Sequence, residues 1–351
     1  MVGRGLLADL PRRLAEHCPA HAYAVVSDSR VADLHGARVV AQLREAGLTA
    51  HLVTFPNGEW NKTRETWAEV TDALLRARVG RDGAVVALGG GVTGDLAGFV
   101  AATYLRGVPW VQVPTTLLAM LDASIGGKTG VNVPAGKNLV GAFHPPRFVL
   151  ADVDTLATLP KPHIAAGMAE AVKHAVIADA DHLHALLADA PAIRAKDPDA
   201  LVRVVARGAA LKEAVVAEDP REQGRRAVLN FGHTVGHAVE ARSGFALLHG
   251  EAVAIGMAVE ATLAESVGIA ERGLARAVGS ALETFGLPTS VPEDLGGEDL
   301  LETMQGDKKV RRSAVRFALP KRVGEMARSD DGAWTVEVET EKILQALAAS
   351  R

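Results

Sequence analysis

Along the first half of the chain, apolar runs of strand length alternate with segments whose apolar positions recur every three or four residues. Residues 22–28, 50–55 and 84–88 read as strands, and 108–113 and 147–150 as later ones. Between them, 31–46 and 65–77 carry helical periodicity. Alternation of this kind predicts a mostly parallel sheet covered by helices on both faces.

From about Lys161 the pattern changes. Residues 164–178, 200–217, 228–242, 251–267 and 271–285 are all helical in period, with few strand signals. One exception is 313–320, which suits a short hairpin with 335–338. The proline-punctuated stretch Leu159-Pro160-Lys161-Pro162 lies at the change of character. The expected fold is therefore α/β: a Rossmann-like parallel-sheet nucleotide-binding domain over 1–155, then an α-helical metal- and substrate-binding domain over 156–351. Ligands of such sheets sit at the carboxyl ends of strands, so the cleft between the two halves is the expected active site.

Composition narrows the function. The chain has 351 residues, 48% hydrophobic and 23% charged, with a net charge of -4. That balance suits a soluble globular protein long enough for two domains and gives no signal for nucleic acid or an anionic membrane. The lone Cys18 excludes an internal disulfide and fits a reducing cytoplasm. Neither a membrane-spanning run nor a signal peptide is expected.

The predicted strand at 84–88 ends in Gly89-Gly90-Gly91-Val92-Thr93-Gly94-Asp95, and a helix-forming stretch follows. Strand, glycine turn and helix start are the geometry in which backbone N–H groups meet a pyrophosphate. The spacing is not GxGxxG, and a tight turn without a ligand gives the same pattern. Downstream, three histidines fall close together at His233, His237 and His249. His233 and His237 are four apart and share a helix face. His249 follows a break at 243–245. Two facing imidazoles and a third near a turn suit a divalent metal, although a hydrogen-bonded core histidine also fits His237.

Other polar groups have two readings. Asp122 to Gly130 and Gly136-Lys137-Asn138 form a basic, glycine-rich connection suited to a phosphate ester, or a solvated surface loop. Glu170 and Lys173 share a face of the first C-terminal helix, as a surface ion pair or, among small apolar neighbours, as a buried pair beside a cation. Lys212, Arg226 and Asp307-Lys308-Lys309 read by themselves as solvated charges.

Taken together, the motifs resemble the 3-dehydroquinate synthase family of sugar phosphate cyclases over nearly the whole chain. The carriers are Gly89 to Asp95, Tyr104-Leu105-Arg106-Gly107, Pro114-Thr115-Thr116-Leu117-Leu118, Asp122 to Lys128, and 136–143. They continue with Gly167 to Lys173, Leu229 to His237, and His249-Gly250-Glu251. The resemblance implies conversion of 3-deoxy-D-arabino-heptulosonate 7-phosphate to 3-dehydroquinate and phosphate. The implied course is transient oxidation by NAD, phosphate elimination, re-reduction and intramolecular aldol closure. Related cyclases with a valiolone-type or aminated product, and metal-dependent polyol dehydrogenases, are the alternatives.

By resemblance, Glu170, His233 and His249 are ligands of zinc, with cobalt or another divalent metal as a substitute, and His237 touches substrate instead. The implied substrate contacts are Asp122, Lys128, Lys137, Asn138, Lys173, Lys212, Arg226, Asn230, His237 and Lys308. Arg106 is implied as a phosphate contact supplied across a homodimer. The implied NAD set is Asp28, Glu59, Lys62, Gly90, Gly91, Val92, Thr93, Asp95, Thr115 and Thr116, with Lys128 and Lys137. A further segment of that set is Thr155, Leu156, Ala157 and Thr158. Arg30 replaces an asparagine common in the family, and no role is evident for Trp60 or Trp67.

Overall fold

The computed structural model describes residues 1–244, 246–306 and 315–351. The chain forms two compact units, Met1–Pro160 and Lys161–Arg351.

The first unit is built on four parallel strands, β1 (Tyr23–Asp28), β2 (Ala50–Phe55), β3 (Ala84–Gly89) and β4 (Trp110–Pro114), in the order β2-β1-β3-β4. Successive side chains of a strand point to opposite faces. Val25, Val86, Leu88 and Val111 pack with Leu14, Val39 and Leu43 in one core. Ala24, Val26, Val85 and Ala87 pack with Val70, Leu74, Leu96 and Val100 in another. The inner strands β1 and β3, with both faces buried, read as mostly apolar runs, whereas the edge strand β2 leaves Leu52 and Thr54 exposed. The chain leaves β1 toward one side for β2 and returns to the other side for β3. The carboxyl ends of β1 and β3 thus form the topological switch point, where ligands of open α/β sheets bind.

Two sequence expectations change here. The stretch 147–150 contributes only an isolated parallel bridge between Gln112 and Val149. The glycine-rich connection is not a loop: Lys128–Val133 (β5) and Gly136–Phe143 (β6) pair as an antiparallel hairpin. Trp67 acquires a role, because its indole N–H donates to Thr103 Oγ1 at 3.0 Å and its ring packs on Phe99. Trp60 remains largely exposed.

The second unit is largely helical. Helices begin where caps are available: Asp179 accepts from His182 N at 3.0 Å, and Asp197, followed by Pro198, accepts from Ala200 N at 2.8 Å. Besides the expected helices, Ala180–Ala188, Gly297–Gln305 and Thr340–Ala349 are helical. The stretch expected as one helix over 228–242 is divided. Residues Arg225–Asn230 form a 3-10 turn, Gly232 takes a left-handed φ of 80°, and the α-helix runs over His233–Arg242. Of the expected hairpin, Arg316–Phe317 pairs antiparallel with Val336–Glu337, and the rest of 313–320 lies partly outside the described residues. Val235, Val239, Ile255, Val259 and Leu263 join Leu300, Phe317 and Leu347 in the core of this unit. No described helix is long and apolar enough to cross a membrane.

Candidate cofactor and metal sites

In the first unit, Gly90 caps the helix Gly91–Thr103, directly after β3. A Cβ on Gly90 would come within 3.1 Å of Thr116 Cγ2, and one on Gly91 within 3.2 Å of Ala123 Cβ. The bare backbone between them is a cradle that side chains would fill, at the positive end of a helix dipole. Thr115 N donates to Gly89 O at 2.9 Å, and the buried Thr115 hydroxyl has no protein partner. Asp28 closes β1 opposite: its Oδ1 accepts from Val31 N and its Oδ2 from Thr93 Oγ1. These features fit a bound pyrophosphate and ribose.

A polar network extends from this cradle to the hairpin. The buried Lys62 ammonium donates to Asp95 Oδ2 and to Asn138 Oδ1, both at 2.5 Å. Asn132, which was not among the expected site residues, links the rest: its amide donates to Glu59 Oε1 at 2.8 Å, and its Oδ1 accepts from Asn138 N at 3.0 Å. Lys137 Nζ stands 3.9 Å from Glu59 Oε1. Asn138 adopts a left-handed φ of 56°. Lys128 lies at the exposed start of β5, and Asp122 sits in a π-helical turn over Ala119–Ala123. In the implied segment 155–158, Thr155 Oγ1 donates to Asp152 O and Thr158 Oγ1 to Thr155 O, while Leu156 is buried. Those two hydroxyls close a turn. Arg106 is exposed, with a left-handed φ of 72°.

In the second unit, Glu170 lies fully buried on the helix Lys161–Ala178. Its Oε1 accepts no hydrogen bond, yet lies 3.7 Å from His233 Nε2 and 3.8 Å from His249 Nε2. Its Oε2 is ion-paired with the buried ammonium of Lys173. The Glu170–Lys173 pair is therefore a core feature. One ligand atom from each of Glu170, His233 and His249 falls within 4.8 Å of the others. A buried carboxylate oxygen with no donor, facing two imidazole nitrogens, fits a divalent cation. The other ring nitrogens are held from behind. His233 Nδ1 lies 3.3 Å from Phe231 O, and His249 Nδ1 lies 3.5 Å from Glu240 Oε2. Such contacts set each tautomer and leave Nε2 to the metal. The exposed His237 ring stands 5.1 Å from that of His233 and 5.9 Å from that of His249, beside the trio.

Several charges expected as solvated are buried. Lys212 and Arg226 are 6% and 2% exposed. Arg226 donates to Pro220 O at 2.7 Å, and Asp219 folds the turn by accepting from Gly224 N and Arg226 N. Asn230 Nδ2 donates to Glu222 Oε1 at 3.0 Å. Sequence reasoning also missed Glu260, whose buried carboxylate accepts from Gly232 N at 2.7 Å and Val235 N at 3.1 Å. Burial pushes its pKa up to about 8, against the pull of the Val235, Gly232 and Thr234 amides. Lys308 lies outside the described residues.

The fold and these two sites define a class: a two-domain protein with a glycine cradle suited to a nucleotide and a candidate divalent-metal centre in a helical unit. The family models for the N-terminal and C-terminal parts of 3-dehydroquinate synthase match residues 52–166 and 167–310. The chain belongs to the 3-dehydroquinate synthase family. It is 50% identical over 332 residues to 3-dehydroquinate synthase of Symbiobacterium thermophilum, covering 94% of this chain and 93% of the other. With that of Caulobacter vibrioides it shares 45%, covering 93% and 90%. Among solved structures it is similar to 2-deoxy-scyllo-inosose synthase complexed with carbaglucose-6-phosphate, NAD+ and Co2+. The TM-score is 0.91 at 28% identity, over 99% of this chain and 96% of the other. It is also similar to 2-epi-5-epi-valiolone synthase from Streptomyces hygroscopicus with NAD+ and Zn2+ bound, at TM-score 0.89 and 31% identity, covering 99% and 95%.

Proposed function

We propose that this chain converts 3-deoxy-D-arabino-heptulosonate 7-phosphate to 3-dehydroquinate and phosphate, with NAD and a divalent metal, zinc foremost, as resident groups. The observation that carries the metal chemistry is the buried Glu170 Oε1, without a donor and facing Nε2 of both His233 and His249. When bound, NAD supplies a recyclable hydride acceptor and the metal polarises the substrate oxygen.

The chain's own residues hold and orient the substrate. His237 is exposed beside the metal trio and suits a hydroxyl of the bound sugar. Lys173, Lys212, Arg226 and Asn230 are assigned to the same substrate. Lys212 and Arg226 are buried cations of the kind that meets the charges of a phosphorylated sugar acid. In the first unit, Asp28, Glu59, Lys62, Asp95, Thr115 and Thr116 are assigned with Gly90, Gly91, Val92 and Thr93 to NAD, and 155–158 as a further segment. Lys128, Lys137, Asn138 and Asp122 are assigned to the substrate, with Lys128 and Lys137 also reaching the cofactor. Elimination needs no protein base where the leaving phosphate takes the proton. We further propose a homodimer in the cytoplasm, in which Arg106 serves the other copy. The helix Gly91–Thr103 has 13 residues, so Arg106 emerges about 20 Å from its own glycine cradle.

The choice among cyclases rests on similarity. Identity is 50% to a 3-dehydroquinate synthase, against 28% and 31% to the inosose and valiolone synthases. Incubation with the heptulosonate phosphate, zinc and a trace of NAD, followed by identification of the product, tests the reading. Another carbocycle, or no phosphate release, would overturn it.

A further inference from the structure

The two helices that carry the metal histidines each send a buried carboxylate to the other. Glu240, at the end of the helix His233–Arg242, places Oε2 3.5 Å from Nδ1 of His249, the first residue of the neighbouring helix. Glu260, on that neighbouring helix His249–Ser266, accepts the backbone N–H groups of Gly232 and Val235 on either side of His233. The relation is reciprocal: Glu240 meets the ring of His249, and Glu260 meets the backbone that flanks His233. The two carboxylates are 6% and 0% exposed, too deep to contact a substrate while the chain stays folded.

Backbone packing shows that the arrangement is tight. A Cβ on Gly256 would stand 1.9 Å from Gly232 O, and one on Gly236 3.0 Å from Ala252 O. With the helices in backbone contact, neither histidine can shift without disturbing a carboxylate. A helix N-terminus leaves several N–H groups unmet, and the Glu260 carboxyl oxygens satisfy two of them. A carboxylate behind a metal-bound imidazole fixes its ring and raises its basicity.

We infer that Glu240 and Glu260 form a crossed brace of positioning residues that presents His233 Nε2 and His249 Nε2 to the metal and sets how tightly it is held. The inference rests on the Glu170, His233, His249 reading of the metal site, and its test keeps the two apart. Zinc affinity is measured by chelator competition, and the visible absorption spectrum of the cobalt-loaded protein is recorded. Both are read on wild type, Glu240→Gln, Glu260→Gln, Glu260→Asp and His233→Ala.

Expected is a loss of about 10–100-fold in zinc affinity for Glu240→Gln and Glu260→Gln, the range for groups that orient metal ligands. Their cobalt spectra should also shift, and NAD affinity, which belongs to the other unit, should be unchanged. Glu260→Asp retains the carboxyl group and should recover part of the affinity, and it serves should Glu260→Gln fail to fold. Wild-type zinc affinity and cobalt spectrum in folded Glu240→Gln and in either folded Glu260 variant, with metal lost in His233→Ala, would overturn the brace and leave the metal site standing. Retention of stoichiometric zinc by His233→Ala would overturn the metal reading itself, and the brace with it.

Discussion

Thr93 Oγ1 donates a 3.2 Å hydrogen bond to Asp28 Oδ2, tying the first turn of the glycine helix to the end of the adjacent strand. The contact holds both sides of the switch point in register, so the backbone cradle at Gly90 and Gly91 is formed in the fold itself. Gly91→Val places methyl groups where a pyrophosphate would meet the backbone, while its Cβ meets only Ala123 Cβ, at 3.2 Å. The variant should bind NAD at least about tenfold more weakly, a change of about 1.4 kcal/mol. Thermal stability should move little. Calorimetric titration checks it; unchanged affinity in a folded variant would reduce the glycines to turn formers.

His233→Ala and Glu170→Ala should each remove stoichiometric zinc, measured by atomic spectroscopy on the purified protein. Glu170→Ala carries a second consequence. Lys173 loses its buried counter-ion, so stability should fall by about 3–5 kcal/mol, the cost of breaking a buried pair from one side. Denaturant unfolding of the metal-free proteins reads that difference.

Arg106→Ala should raise the substrate KM while leaving NAD and zinc bound. A guanidinium meets two phosphate oxygens at once, so Arg106→Lys should not restore it fully. Heterodimers of Arg106→Ala with His233→Ala have one site that combines an intact metal trio with an intact Arg106. At a substrate concentration well below the raised KM, co-expressed heterodimers should show activity that neither parent shows there. Inactive heterodimers would place Arg106 in its own subunit or outside the reaction.

His182 is buried, and burial holds its pKa down at about 4, against 6.5 for the free side chain. Between those values the unfolded chain takes a proton that the folded chain refuses. Stability is therefore lost as pH falls from about 6.5 toward 4, by about 2–3 kcal/mol from this residue. His182→Leu should flatten the stability curve over that window relative to wild type. Parallel curves would show that His182 titrates normally.

The sheet and its glycine turn were legible because burial on both faces leaves mostly apolar runs in the inner strands, and helical periods separate the strands. The hairpin over residues 128–143 was hidden by glycines and lysines that also suit a loop. Spacing alone paired His233 with His237, since about four residues make one helical turn, whereas Glu170 comes 63 residues before His233 and reaches the trio only through tertiary packing. Resemblance supplied that ligand. Glu240 and Glu260 look like surface charges in the sequence, because nothing local marks a carboxylate that answers another helix. Lys212 and Arg226 misled for the same reason: a buried cation and a solvated one have the same letter.

Whether oxidation and re-reduction occur within one turnover is decided by counting products per NAD. The protein, loaded with zinc and given NAD well below the substrate concentration, is incubated with 3-deoxy-D-arabino-heptulosonate 7-phosphate while phosphate, 3-dehydroquinate and NADH are followed together. Equal amounts of phosphate and 3-dehydroquinate are expected, many per NAD, with no net NADH. NADH accumulating in step with product, or product limited to the NAD supplied, would contradict this and point to a dehydrogenase on the same fold.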